Sequence, residues 1–310
     1  MRDFIKYKNK KRVLVGIFSV ILFITLVFFT FYKADEFVVF HIRLPRVLAA
    51  AVVGAMLGLS GAVMQGILKN YLASPFTLGI SHGALFGVSL SLVVMGGSFM
   101  FLSAFLGGIA VIIMIFLLSF RIFSKETLIL CGIAISAIFS SLSMFLQYFA
   151  SDIELSHIIN WSFGDLSKAT FESVKVCFLV FILSLIYFYT KRWDFNALEI
   201  IESENVGVDV KRLGIISLFI ATLLSTLSVS YFGIIGFVGL IAPHFARLII
   251  GGSYEYLFVM SALLGALLLS VSDFLARNVL YPVEIPVGII TSLLGGVVFL
   301  YLLLRKKNET

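Results

Sequence analysis

Residues 43–66 read RLPRVLAAAVVGAMLGLSGAVMQG, and this stretch decides the fold. From Val47 to Met64 no side chain carries a charge. At 1.5 Å per residue a helix of that stretch is about 27 Å long, close to the thickness of a bilayer's hydrocarbon core. Gly54 and Gly58, followed by Gly61, fall near one helix face, a small-residue pattern that lets helix backbones approach closely inside a membrane. The stretch therefore predicts a transmembrane helix, with Arg43 and Arg46 at its mouth.

The rest of the chain repeats this character. Of 310 residues, 60% are hydrophobic and only 13% charged, against about 45–50% and about 25% in soluble domains. Mean hydropathy is +1.10. Apolar runs separated by polar breaks predict ten spans, at about 13–32, 47–68, 79–97, 99–120, 127–149, 174–190, 213–232, 233–250, 257–277 and 285–304. The runs are continuous rather than alternating, which excludes β-barrel strands. The predicted class is an all-α polytopic membrane protein of about ten transmembrane helices, and 1–310 reads as a single transmembrane domain. The first apolar run is too long for a secretory signal and is read as an uncleaved span.

Orientation follows from Lys and Arg, which collect on the cytoplasmic side. With the N-terminus inside, 17 of the 23 fall in inner segments. The remaining six are outer: Lys33, Arg43, Arg46, Lys168, Lys175 and Arg277. Both termini are thus expected in the cytoplasm. The net charge of +6 is a topology signal and gives no reason to invoke nucleic acid. A basic pair kept at an outer mouth, against the usual rule, points to an acidic partner docking there. Two polar segments interrupt the spans. The outer one, 151–173, is read as a loop with a short helix near Trp161. The inner one, 191–212, carries Asp194, Glu199, Glu202, Glu204 and Asp209, five of the 17 acids.

Several chemistries are missing. The chain holds no phosphate-binding glycine loop, zincin helix, paired catalytic carboxylates or serine elbow. Its four histidines sit at no metal-ligand spacing, so no metal site and no resident cofactor are expected. Cys131 and Cys177 lie in spans and read as small hydrophobes. A gradient-driven transporter keeps ionisable groups at mid-membrane depth, whereas these spans are nearly free of them. The main exception, Asp273, precedes Arg277 by four residues and predicts an i,i+4 ion pair. A secondary transporter and an intramembrane enzyme are therefore both disfavoured, and the energy for transport is expected on another chain. Gly79, Gly83 and Gly87 recur every fourth residue and predict a second close helix contact.

Four long motifs occur in order: RLPRVLAAAVVGAMLGLSGAVMQGILKN, LASPFTLGISHGALFG, GIIGFVGLIAPHFARLIIGG and SDFLARNVLYPVEIPVGIITSLLGG. Together, over residues 40–304, they resemble the permease subunits of the FecCD family, the membrane halves of ABC importers for ferric siderophores, haem, cobalamin and oxyanions such as molybdate. The resemblance implies a type II ABC importer permease fold of ten spans. It implies as partners cytoplasmic ATPase subunits, a second permease subunit and an extracytoplasmic substrate-binding protein. The chain itself would then perform no covalent catalysis and would sit, multi-pass, in the lipid bilayer of the cell membrane.

Carried over by residue, Arg43 and Arg46 match the family's outer arginines that pair with acidic residues of the binding protein, and Arg277 matches a third. The inner segment matches the family's coupling helices, which makes Glu199, Glu202, Ser203, Val206 and Gly207 the expected ATPase contacts. Glu199 departs from a common family glycine. Ser140, Ser141, Ser143 and Gln147 match a helix that lines the family's pathway. His82, in place of a small residue in the glycine helix, is a further pathway candidate beside the plainer reading of a packed polar residue. Tyr71 follows Asn70 where the family usually has proline, which would relax the inner turn.

Overall fold

Hydrocarbon offers no partner to a peptide group, so long apolar sequence must close its hydrogen bonds within itself as helix. The computed structural model describes residues 2–32, 35–119, 125–200 and 209–307. Helix α1 (Arg2–Phe31) is followed by one turn, α2 (Glu36–Val38), and a π-helical turn, Val39–Arg43. These lead without a break into α3 (Leu44–Leu68). Then come α4 (Ile80–Met95), α5 (Met100–Ser119), α6 (Lys125–Tyr148), α7 (Asp152–Ser162), α8 (Phe171–Thr190) and α9 (Arg192–Ile200). The chain ends with α10 (Val210–Phe232), α11 (Val238–Ile250), α12 (Tyr254–Asn278) and α13 (Val287–Lys307). Among the described residues seven helical stretches are long and apolar enough to cross a membrane, and α4, α11 and α13 contribute shorter apolar ones. Together they match the ten expected positions.

One expectation needs correction in detail. The span expected at 233–250 is helical only from Val238, and 13 residues of helix reach about 20 Å, short of a bilayer core. Gly233–Phe237 is irregular, and Pro243 inside α11 cannot donate to the carbonyl four residues back. Irregular backbone at membrane depth persists only when protein covers it. Here Gly233 abuts the Trp161 carbonyl, and Asp165 N donates to the Phe232 carbonyl at 2.7 Å. The outer segment 151–173, read as a loop with a short helix near Trp161, carries that helix as α7, Asp152–Ser162. Ser151 accepts from Glu154 N while the Glu154 carboxylate accepts from Ser151 N, a reciprocal cap that starts α7. Its Ile158 and Trp161 are buried.

Glycines set the central contact. A Cβ on Gly54 would overlap the Gly265 carbonyl, one on Gly58 the Ser261 carbonyl, and one on Gly61 the Gly239 carbonyl. So α3 lies backbone to backbone against α12, in antiparallel order, and its inner half meets the start of α11. The same device joins α4 to α5, where Gly83 and Gly87 face Gly107 and Ser103. Between Gly58 and Gly61 on α3, Ser60 Oγ donates to the Ala221 carbonyl of α10 at 2.7 Å. Phe29 of α1 stacks on Phe274 at 4.3 Å, while Lys11 lies 6.0 Å from the Tyr256 ring, so α1 runs parallel to α12. These directions are the alternation that a ten-span serpentine requires.

Substituting Gly58 by Ala should lower stability by about 1–3 kcal/mol through overpacking. Gly16→Ala, at a position with nothing within 4 Å, should be neutral or slightly stabilising. Thermal unfolding of the two detergent-solubilised variants checks the contrast.

Candidate functional site: an arginine-lined outer cleft

The first arginine arrives on the π-helical turn and the second on the opening turn of α3, beside Pro45, which lacks a backbone donor just where the π-helical turn gives way to α-helix. The third comes from the last turn of α12. Because α3 starts where α12 ends, all three converge on one cleft of about 660 Å³. Tyr32, Asn278, Tyr281 and Glu284 complete its polar wall.

Asp273 organises the cleft from below. Arg46 Nε donates to Asp273 Oδ1 at 2.8 Å, and Arg277 Nε lies 3.1 Å from Asp273 Oδ2. The predicted Asp273–Arg277 pair is therefore present, as one arm of a larger network. Arg46 reaches further, with Nη1 donating to Glu284 Oε2 at 2.6 Å. Side-chain exposure divides the members sharply: 5% for Arg46, 1% for Asp273 and 9% for Arg277, against 52% for Glu284. Removing such ions from water costs several kcal/mol each, so the buried three hold only as a set. Arg43 stands nearer the rim, half-buried, and donates to the Tyr32 carbonyl. With three cations and two carboxylates, the cleft keeps a net positive charge. It offers planar, fork-shaped donors suited to a carboxylate.

The other predicted residues do not gather. Ser140 and Gln147 are half-buried and Ser141 is exposed, while Ser143 is buried and donates to the Phe139 carbonyl at 2.8 Å. Ser143 thus turns away from the surface that Ser141 shares. His82 is half-buried on α4, with its Nδ1 enclosed and no hydrogen-bond partner among the described residues. Glu202, Ser203, Val206 and Gly207 lie outside the described residues, and of Glu199 only the backbone, in α9, is described. The helix that carries Glu199 is firmly seated. Phe195 packs edge-on to Phe258 at 5.1 Å, and Asn196 Oδ1 accepts from Tyr254 N at 2.8 Å. This couples α9 to the start of α12.

Sequence reasoning missed Glu284 and the reach of Arg46 to Asp273. The available signal was the outer turn between the ninth and tenth spans, which brings an acid to the side where three arginines already stood. Tyr71, expected to relax the inner turn, has a further role: its ring lies 4.7 Å under the Arg247 guanidinium, which also donates to Gln65 Oε1.

The FecCD transport family model matches residues 12–305. The chain belongs to the FecCD family. Among FecCD relatives, an ABC transporter permease of Methanocaldococcus jannaschii is 45% identical over 285 residues, covering 86% of this chain and 82% of the relative. The hemin transport permease of Yersinia pestis is 38% identical over 280 residues, covering 87% and 84%. A solved structure described as an inward-facing metal-chelate type ABC transporter superposes with a TM-score of 0.88 at 32% identity, over 95% of this chain and 99% of that one. The protein is accordingly a multi-pass ABC permease with the FecCD fold.

Asp273 is the member of the cleft whose loss the fold should feel most. Asp273→Ala takes the shared carboxylate from two buried guanidinium groups, leaving Arg46 only its bond to Glu284, and should cost about 3–5 kcal/mol. Adding Arg46→Met and Arg277→Met to it should recover much of that loss, because the three act as one unit. Melting temperatures of the single and triple variants in the same detergent decide this.

Proposed function

We propose that this permease takes a metal chelate, in the first place an iron(III)–siderophore complex, from an extracytoplasmic binding protein and passes it across the cell membrane. The energy comes from cytoplasmic ATPase subunits. Two permease subunits enclose the pathway, either two copies of this chain or this chain with a paralogue. ATP binding draws the coupling segments together and opens the pathway outward; hydrolysis and release reset it. The observation that carries the reading is the convergence of Arg43, Arg46 and Arg277 on one cleft at the end read as outer. There they supply the binding protein's acidic side chains with complementary donors. Arg43 is the rim contact, and Arg46 and Arg277 give the cleft its field from beneath.

Residues 196–208, with Glu199, Glu202, Ser203, Val206 and Gly207, form the ATPase contact. What supports this is the anchoring of α9 to α12, which lets a push at the inner face move the helix that carries Asp273 and Arg277. Ser141, with Ser140 and Gln147, faces the pathway. The metal-chelate description of the solved relative supports the substrate class, and the hemin permease of Yersinia pestis makes haem the second reading.

In liposomes carrying the assembled transporter, ATPase activity should rise on adding the loaded binding protein. Arg43→Glu should weaken that stimulation about tenfold, equivalent to about 1.4 kcal/mol, through lost charge complementarity. Unchanged stimulation would rule out docking at this cleft. Screening the binding protein against iron(III)–siderophores, haem, cobalamin and molybdate identifies the cargo. Selective binding of molybdate alone would displace the chelate reading.

A further inference from the structure

The cleft already contains a carboxylate of the kind its partner is expected to bring. Arg46 is tied on one edge to Asp273 and on the other to Glu284, and the two acids differ in every respect that governs exchange. Asp273 projects from the body of α12, is 1% exposed, and serves Arg277 as well. Glu284 belongs to the irregular turn between α12 and α13 and is 52% exposed. The turn itself is pinned, since Ile285 N donates to the Ala276 carbonyl at 3.0 Å. Release of Glu284 therefore needs only rotation about its own side-chain bonds, with no movement of the backbone.

We propose that Glu284 is an internal stand-in for the partner's carboxylate: it occupies the outer edge of Arg46 until an acidic side chain of the docking protein replaces it. This rests on the docking reading above and adds its mechanism. The energetics favour exchange over simple addition. With Glu284 gone Arg46 still holds Asp273, but its outer edge has lost a part-exposed ion pair worth about 0.2–1 kcal/mol. Swapping one carboxylate for another keeps Arg46 paired throughout, and the displaced Glu284 moves into water, where half of its side chain already lies. Binding is thereby weakened by the strength of one part-exposed ion pair, which keeps docking reversible between transport cycles. The arrangement also discriminates, because a neutral side chain that displaces Glu284 gives up the outer-edge ion pair without replacing it.

The test uses the full-length permease in lipid nanodiscs and a fluorescent hexaglutamate peptide, read by anisotropy, with hexaglutamine as the neutral control. Glu284→Gln should bind hexaglutamate about two- to fivefold more tightly than the unmodified chain, the range an exposed ion pair supplies. Glu284→Asp, too short to span to Arg46 equally well, should fall between them. Arg43→Glu should weaken binding in either background. Equal or weaker binding by Glu284→Gln, with Arg43→Glu still weakening it, would overturn the stand-in role and leave docking at the cleft intact. Binding that ignores Arg43→Glu, or fails to prefer hexaglutamate over hexaglutamine, would remove the docking reading as well. Unchanged melting temperature and elution volume of Glu284→Gln exclude misfolding as the cause of a loss.

Discussion

The contact on which the structure rests is the meeting of two backbones. Between α3 and α12, glycine and small residues bring main-chain atoms against main-chain atoms. In a membrane, where lipid competes for apolar side chains on equal terms, that close fit replaces the hydrophobic drive of a water-soluble core. The rest of the core is arranged around this pair. Helix α1 lies along α12, α10 hydrogen-bonds to α3 through Ser60, and α11 begins where Gly61 meets Gly239.

The two ends of α12 are tied by different chemistry. The outer end is held by charge, through Asp273 between Arg46 and Arg277. The inner end is held by aromatic packing, through Phe195 and Tyr254 around Phe258. One helix thus joins the cleft where an acidic partner is proposed to dock and the surface where an ATPase is proposed to press. The three arginines were singled out by the side of the membrane they were read on, and the fold brings them to one cleft.

What the sequence disclosed followed from how many residues carried each signal. Ten apolar runs against a polar background, and seventeen basic residues on one side, each average over many positions and so survived local exceptions. Gly54, Gly58 and Gly61 were legible because close packing demands that one residue type. The break at Gly233–Phe237 was not, because an apolar run reads the same whether its backbone is helical or merely covered by neighbours. Glu284 was missed for a related reason. Its role depends on which arginine edge it reaches, and a distance across 238 positions of chain leaves no mark on local composition. Ser143 shows the converse: a hydroxyl on the expected helix, satisfied by its own backbone and turned inward.

The glycine contacts also have a mechanical consequence. Where main-chain atoms meet main-chain atoms, no side-chain rotation is available to absorb a change in the distance between the helices. The α3–α12 pair is in this sense a stiff plank, and bending must be relegated to irregular backbone. Two such pieces are the loop 69–79 and the segment Gly233–Phe237, and the first reaches the opening turn of α11, just past the second, where Pro75 meets Gly239. That point lies beside the plank, a soft seam against a rigid edge, and motion of the permease is expected to concentrate there while the plank turns as a whole.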